Sequence, residues 1–265
     1  MRRTELAIIG AGPGGYVAAL RAAQLGAKVV LIEKKWLGGV CLNVGCVPTK
    51  TLLKSAEVFC LVGRAADYGV AADQPRIDWK RIQARKTKVV SQLVGGVSML
   101  LERAGVEVLS GEARFTGRDT LEVKSKEGLE SIVADHTIIA TGSRAATLPV
   151  AGMQNPRVLD STGALALGNL PESILVIGGG AIGLEWAAMF VDFGCTVTLV
   201  ELLPRLAPLM DRDLGDALAF SLKQRGVRIM TGCSVSRIDH REKGCQVIVQ
   251  TPAGQTAIET QLVLS

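Results

Sequence analysis

The chain has 265 residues, a length that suits about two domains. With 48% hydrophobic and 21% charged residues it reads as an ordinary globular protein, not a disordered one. The net charge of +5 comes from scattered Lys and Arg with no basic block among aromatics, which argues against nucleic acid as a partner, and no run of eighteen apolar residues is present to span a membrane.

Met1-Arg2-Arg3-Thr4 leads at once into the apolar run Leu6–Ile9, which leaves no room for a signal peptide, so the expected location is cytoplasmic. Leu6–Ile9 has the continuous apolar character of a buried parallel strand. Gly10-Ala11-Gly12-Pro13-Gly14-Gly15 follows, then a helix over Tyr16–Leu25 that Gly26 stops, then a strand over Lys28–Ile32 ending at Glu33. In this strand, glycine turn, helix, strand and acid, Gly10 makes the turn, Gly12 lets the backbone approach a pyrophosphate, and Gly15 lets the helix lie close to the strand. The pyrophosphate would sit on the N–H groups of the helix N-terminus, and Glu33 would accept from ribose hydroxyls.

Next comes Gly38-Gly39-Val40-Cys41-Leu42-Asn43-Val44-Gly45-Cys46-Val47-Pro48-Thr49-Lys50. Zinc would want a shorter spacing and a second ligand pair, so no metal site is expected. The gap between Cys41 and Cys46 suits a small closed loop in which the two can pair, turning tightly at Gly45. Pro48 fits the first turn of a following helix, which puts Cys46 near a helix N-terminus, where the dipole favours a thiolate. The plainer alternative is two buried structural cysteines.

A helix is expected over Thr49–Arg64, and a long amphipathic one over Ile77–Ala104, weakened by Gly95-Gly96. Val106–Leu109 reads as a strand, and Glu112–Lys124 and Ser131–Ala140 as strands of a meander running into a tight polar turn at Thr141-Gly142-Ser143. Pro149–Pro171 is a linker with one short helix near Gly163. A second unit follows: a strand over Ile174–Ile177, the turn Gly178-Gly179-Gly180-Ala181-Ile182-Gly183, a helix over Leu184–Phe193, and a strand over Thr196–Val200 ending at Glu201. The acid follows the first glycine by 23 positions in both units, so the chain repeats one nucleotide-binding device. After it come a helix over Asp211–Arg225 and strands over Val227–Met230, Ser234–Asp239, Gln246–Thr251 and Thr256–Ser265. The fold expected is α/β, with two Rossmann-like dinucleotide domains, 1–148 and 149–265, built on parallel sheets with small antiparallel meanders.

The segment from Gly38 to Lys50 resembles the redox-active site of the flavoprotein disulfide reductases (class I pyridine nucleotide-disulfide oxidoreductases), most closely the dihydrolipoamide dehydrogenases, and the resemblance runs along the whole chain. It implies a redox-active Cys41–Cys46 disulfide, FAD on the first unit and NAD on the second, with electrons passing from dihydrolipoamide to the disulfide, to FAD and to NAD in the service of cell redox homeostasis. Cys46 matches the flavin-proximal thiol, Cys41 the thiol that exchanges with substrate, Lys50 the lysine near the flavin, and Glu185 the glutamate that pairs with it. Carried over by position, contacts to FAD fall on Gly10, Gly12, Pro13, Gly14, Gly15, Glu33, Lys34, Gly39, Val40, Cys41, Lys50, Ala113, Ala140, Thr141, Gly142 and Ser143. Those to NAD fall on Ile177, Gly178, Gly180, Ala181, Ile182, Gly183, Glu185, Glu201 and Val235. Glu201 favours NAD because a carboxylate repels a 2′-phosphate, while Arg205 lies close by.

The resemblance further implies a lipoyl-carrying protein as substrate, a place in a 2-oxo acid dehydrogenase complex, and a homodimer in full-length relatives. Those relatives continue with a second flavin-contacting segment and an interface domain carrying a catalytic His and Glu, so this chain is expected to be cut short after the NAD-binding domain. His136 and His240 are its only histidines, and both read as surface residues. Two alternatives stay open: a glutathione- or mercuric-reductase-like enzyme, and a dinucleotide-binding fragment without catalysis.

Overall fold

The computed structural model describes residues 2–265. The chain divides into two compact units, one of Met1–Pro48 with Lys86–Arg144, the other of Thr49–Arg85 with Ala145–Ser265.

The first unit is built on β1 (Arg2–Ile9), α1 (Pro13–Gln24), β2 (Val29–Glu33), α2 (Gly39–Val44), the opening of α3 (Cys46–Gly63), the C-terminal part of α4 (Trp79–Arg103), and strands β3 (Glu107–Ser110), β4 (Glu112–Phe115), β5 (Thr120–Ser125) and β6 (Gly128–Ile139). They form one six-stranded sheet in the order β3-β2-β1-β6-β5-β4. β1 pairs in parallel with β2 and β6, and β6 runs on antiparallel to β5 and β5 to β4, which is the expected meander joined to the parallel sheet. Both faces are covered. Ile8 and Leu31 point to one side with Ala19, Val97 and Leu101, while Ala7, Val30 and Ile32 point to the other with Leu121, Val123 and Ile132. That two-sided burial is why β1 and β2 read as unbroken apolar runs. Each of these larger side chains contributes about 1.5–3 kcal/mol by leaving water. Gly95-Gly96 does not interrupt α4, because Val94, Val97 and Leu101 around it pack into the core of this unit.

The second unit holds a five-stranded, all-parallel sheet in the order β10-β9-β8-β14-β7, made of β7 (Val158–Leu159), β8 (Ser173–Ile177), β9 (Thr196–Glu201), β10 (Arg228–Thr231) and β14 (Leu262–Leu264). A three-stranded antiparallel sheet, β11 (Ser234–Arg241), β12 (Gly244–Thr251) and β13 (Gly254–Thr260), packs on it through a core of Val235, Ile238, Val247, Val249 and Ile258 with Leu175, Val200 and Val263. The run expected as one strand from Thr256 is thus two strands in two sheets. The chain bends at Gln261, whose N–H donates to Ser173 Oγ and whose Oε1 accepts from Glu172 N.

The linker carries α5 (Ser161–Leu165), capped by Asp160 Oδ1 on Gly163 N at 2.7 Å. Helix α6 (Ala181–Asp192) follows β8, and α7 (Arg212–Gln224) precedes β10. The body of α3 and the first turns of α4 belong to this unit. Phe193, just beyond α6, packs at a tilt against Phe59, with ring centroids 6.3 Å apart, and meets Trp79 edge-on at 5.7 Å, and Trp79 Nε1 donates to Leu167 O.

Candidate functional site

The two glycine turns repeat each other atom by atom. Gly10 N donates to Ile32 O at 2.7 Å, and Gly178 N to Val200 O at 2.8 Å. The peptide after each first glycine is tied to the acid that ends the second strand: Ala11 N to Glu33 Oε2 at 2.7 Å, Gly179 N to Glu201 Oε2 at 2.5 Å. The other carboxylate oxygen accepts from the residue two positions on, Lys35 N in one unit and Leu203 N in the other, both at 2.7 Å. The acids therefore fasten their own turns as well as standing where a ribose would be read. A Cβ on Gly15 would collide with Gly10 O, and one on Gly183 with Gly178 O, so the third glycine of each turn is required by helix–strand packing.

Helices α1 and α6 begin at Gly12 and Gly180 with no side-chain cap, which leaves their first-turn N–H groups pointing outward for an anion. A Cβ on Gly178 or Gly180 meets nothing within 4 Å. This donor set and this open approach fit a dinucleotide pyrophosphate in each unit.

Pro13 and Gly14 lie exposed at the start of α1. Lys34 Nζ pairs with Glu112 Oε1 at 3.0 Å. Ala113 and Thr141 line a crevice of about 90 Å³ with Gly10, Glu33 and Lys34. Ala140 N donates to Ile9 O at 2.8 Å, which brings the end of β6 beside the first turn. Gly142 and Ser143 are exposed in irregular chain and not in the tight turn expected. In the second unit Ile177 closes β8, and Ala181 and Ile182 open α6 with Ile182 exposed. The Val235 side chain is buried in the core of the three-stranded sheet, away from any open surface.

The cysteine segment is not the loop that its glycines suggest. Gly38, in the left-handed region at φ 86°, starts the short helix α2, which carries Cys41 and Val40; Gly45 breaks it; and Cys46 opens α3. A Cβ on Gly45 would lie 2.9 Å from Val40 O and 3.3 Å from Cys41 Cα, so the break folds the two helices onto each other and brings the cysteines near. Both are thiols here, Cys41 half-buried and Cys46 exposed. Asn43 Nδ2 ties the turn by donating to Leu37 O and Gly39 O, each at 2.9 Å, while Leu42 is buried beneath it. The segment rests on the first glycine turn: Gly38 N donates to Ala11 O at 2.9 Å, and a Cβ on Gly39 would come within 2.6 Å of Gly12 Cα.

Within the second unit, Lys50 Nζ pairs with Glu185 Oε1 at 2.5 Å, joining α3 to α6, with side chains 57% and 30% exposed. His136 and His240 are exposed on β6 and β11. The remaining cysteines are of another kind. Burial pushes the Cys195 thiol up to about 11 and also raises Cys245 and Cys60, the last with help from the Asp192 carboxylate. Among the described residues no group of His, Cys, Asp and Glu is arranged to hold a metal, and no helix is long and apolar enough to cross a membrane.

The sequence reading missed Gly179, Leu206 and Ala207. Ala207 N donates to Gly179 O at 2.8 Å, and a Cβ on Gly179 would lie 2.6 Å from buried Leu206. The only hint was a third glycine at a position where the turn motif accepts any residue.

A chain that presents two dinucleotide cradles and seats a cysteine pair on the first falls in the class of dinucleotide-dependent thiol oxidoreductases. The family model for pyridine nucleotide-disulphide oxidoreductases matches residues 4–265, and the chain belongs to that family. It is 42% identical over 265 residues to a dihydrolipoyl dehydrogenase of Acholeplasma laidlawii, covering 98% of this chain and 76% of that protein. It is 40% identical over 261 residues to one of Geobacillus stearothermophilus, covering 98% of this chain and 55% of that one. Among solved structures it is similar to the Cu(II) complex of RclA, a HOCl-induced flavoprotein disulfide reductase from Escherichia coli, with a TM-score of 0.82 at 34% identity over 100% of this chain and 56% of that one. The chain thus spans little more than half the length of the last two.

Proposed function

We propose that this chain is the FAD- and NAD-binding part of a dihydrolipoyl dehydrogenase-type enzyme. Residues 1–148 take FAD, residues 149–265 take NAD, and Cys41 with Cys46 cycles between dithiol and disulfide. The observation that carries the reading is the contact of Gly39 with Gly12, because it seats the cysteine segment on the turn of the first cradle. When bound, FAD would accept the electron pair released as the Cys41–Cys46 disulfide forms, and NAD would carry it away.

The chain's own residues do the rest. The N-termini of α1 and α6 hold pyrophosphates, and Glu33 and Glu201 orient riboses with the lone pairs that their backbone bonds leave over. In the oxidised form a substrate dithiol attacks the Cys41–Cys46 disulfide at Cys41 and leaves as its own disulfide, releasing Cys46 as the thiolate on the flavin side. Lys50 and Glu185 hold charge at the start of α3 and α6. The similarity to dihydrolipoyl dehydrogenases supports dihydrolipoamide as the substrate, and the proposal extends to a lipoyl group on a carrier protein of a 2-oxo acid dehydrogenase complex and to a homodimer as the working form.

Two experiments test this. Protein reconstituted with FAD and reduced by two electrons should show a long-wavelength absorption band that Cys46→Ser abolishes; a protein that stays colourless in excess FAD overturns the assignment of the first cradle. Parallel assays with lipoamide, glutathione disulfide and mercuric ion, each with NADH and NADPH, should favour lipoamide and NADH. Preference for either other acceptor would move the chain to another branch of the family.

A further inference from the structure

We infer that Arg205 is a positioning residue of the second cradle. It staples residues 205–210 beside Gly179 and Glu201 and is thereby withdrawn from any contact with a 2′-phosphate. This rests on the reading of the second cradle as an NAD site. Four positions after the acid, Arg205 is the natural candidate for a clamp that would admit NADP. The structure gives its guanidinium other work. Nη1 donates to Met210 O at 2.9 Å and Nη2 to Pro208 O at 2.6 Å, so the planar fork closes a loop on its own backbone.

That loop is fitted to the cradle from two sides. Ala207 stands at φ 46°, a left-handed conformation that a non-glycine residue keeps only when its surroundings impose it, and there its N–H reaches Gly179 O at 2.8 Å. Gly179 is consequently held at both ends of its residue, N–H by Glu201 and C=O by Ala207. Leu206 is fully buried, and its carbonyl fills the space where a Cβ on Gly215 of α7 would come within 2.6 Å. Glu201, which shares the surroundings of Gly179 with Leu206, is only 7% exposed. Opening the Arg205 staple would loosen Ala207, then Leu206, then the acid and the peptide it fixes. The first unit makes the same bonds from Gly38 N to Ala11 O and from Ala11 N to Glu33 Oε2, but continues into α2, with no arginine closing the loop.

The test uses the full chain as wild type, Arg205→Lys and Arg205→Ala. Binding of NAD and of NADP is measured by calorimetry, and amide hydrogen exchange is followed across residues 202–211. A staple predicts that both variants bind NAD about tenfold more weakly, since lysine keeps the charge but not the fork. Neither variant changes the NAD-to-NADP ratio by more than about twofold. Exchange accelerates about tenfold or more in residues 202–211 while β8 and β9 keep wild-type protection, which excludes general unfolding. The inference is overturned if Arg205→Ala loses NADP selectively while Arg205→Lys retains it, or if exchange in the loop does not change. Wild-type protein that binds neither nucleotide, or binds NADP as tightly as NAD, overturns the NAD reading itself and this inference with it. That failure is seen in the wild type before any variant is compared, so the two are told apart.

Discussion

Gly39 lies so close to Gly12 that no side chain fits between α2 and the first glycine turn. Gly39 is also at φ 61°, so Gly39→Ala meets a clash and a strained backbone together. The expected cost is about 2–4 kcal/mol, with the cysteine segment pushed off the turn. Thermal unfolding should fall by several degrees, and FAD should be retained poorly even where the chain still folds. Wild-type melting and FAD retention in Gly39→Ala would remove the contact from the account of the site.

The glycines of the second turn separate into two kinds. Gly180→Ala places its Cβ in open space at φ −78° and should fold like wild type, while weakening NAD binding at least about tenfold by standing in the approach to the α6 N-terminus. Gly183→Ala drives its Cβ into Gly178 O and should destabilise the unit by more than about 3 kcal/mol. Urea unfolding and calorimetry on the pair check this, and reversed results would contradict it.

Lys50 and Glu185 form a close pair, but both side chains keep contact with water. Such a pair is worth at most about 1 kcal/mol of stability. Glu185→Gln and Lys50→Met should each leave the melting temperature nearly unchanged and lower turnover in the lipoamide assay at least about tenfold. A large loss of stability with turnover intact would mark the pair as a structural clamp between α3 and α6.

The parts of this chain that were legible in its sequence are those in which one residue type has one reason. Gly10, Gly15, Gly178 and Gly183, with Glu33 and Glu201 at matched distance, could be read because packing and backbone bonding allow few substitutes. Helix α2 was hidden because Gly38, Gly39 and Gly45, which start and end it, are the residues that ordinarily mark a loop. The segment from Leu202 to Asp211 shows no periodicity, since it is held by Arg205 on backbone carbonyls and by one buried leucine. The split of the run after Gly254 into β13 and β14 turns on the contacts of Gln261 with Glu172 and Ser173, which are distant in the chain and leave no local trace.

Cys195 should make the second unit sensitive to alkali. An unfolded thiol ionises near 9.0, whereas burial holds the folded one protonated up to about 11. Above pH 9 the unfolded state therefore binds fewer protons than the folded state, and stability falls as pH rises. The stabilisation is whole below pH 9 and declines by about 2–3 kcal/mol by pH 11, with Cys60 and Cys245 adding in the same direction. Comparing urea midpoints of wild type and Cys195→Ala at pH 8 and pH 10.5 isolates the contribution of this thiol. An equal alkaline decline in both proteins would refute it.

Thiol labelling should be ordered by exposure. In the reduced protein a bulky maleimide should modify Cys46 first, while Cys195, Cys233 and Cys245 react only when the second unit opens. Mass mapping of early products checks this, and early labelling at Cys233 would show that the core of the three-stranded sheet opens readily.

Strand β14 occupies an interior slot of its sheet, with β8 on one side and β7 on the other. Leu262 aligns with Ile174, far upstream, so β8 and β7 cannot be bridged until β14 has been synthesised. Until then the β14-facing edges of β8 and β7 have no strand to pair with, and such edges are the ones open to wrong pairing.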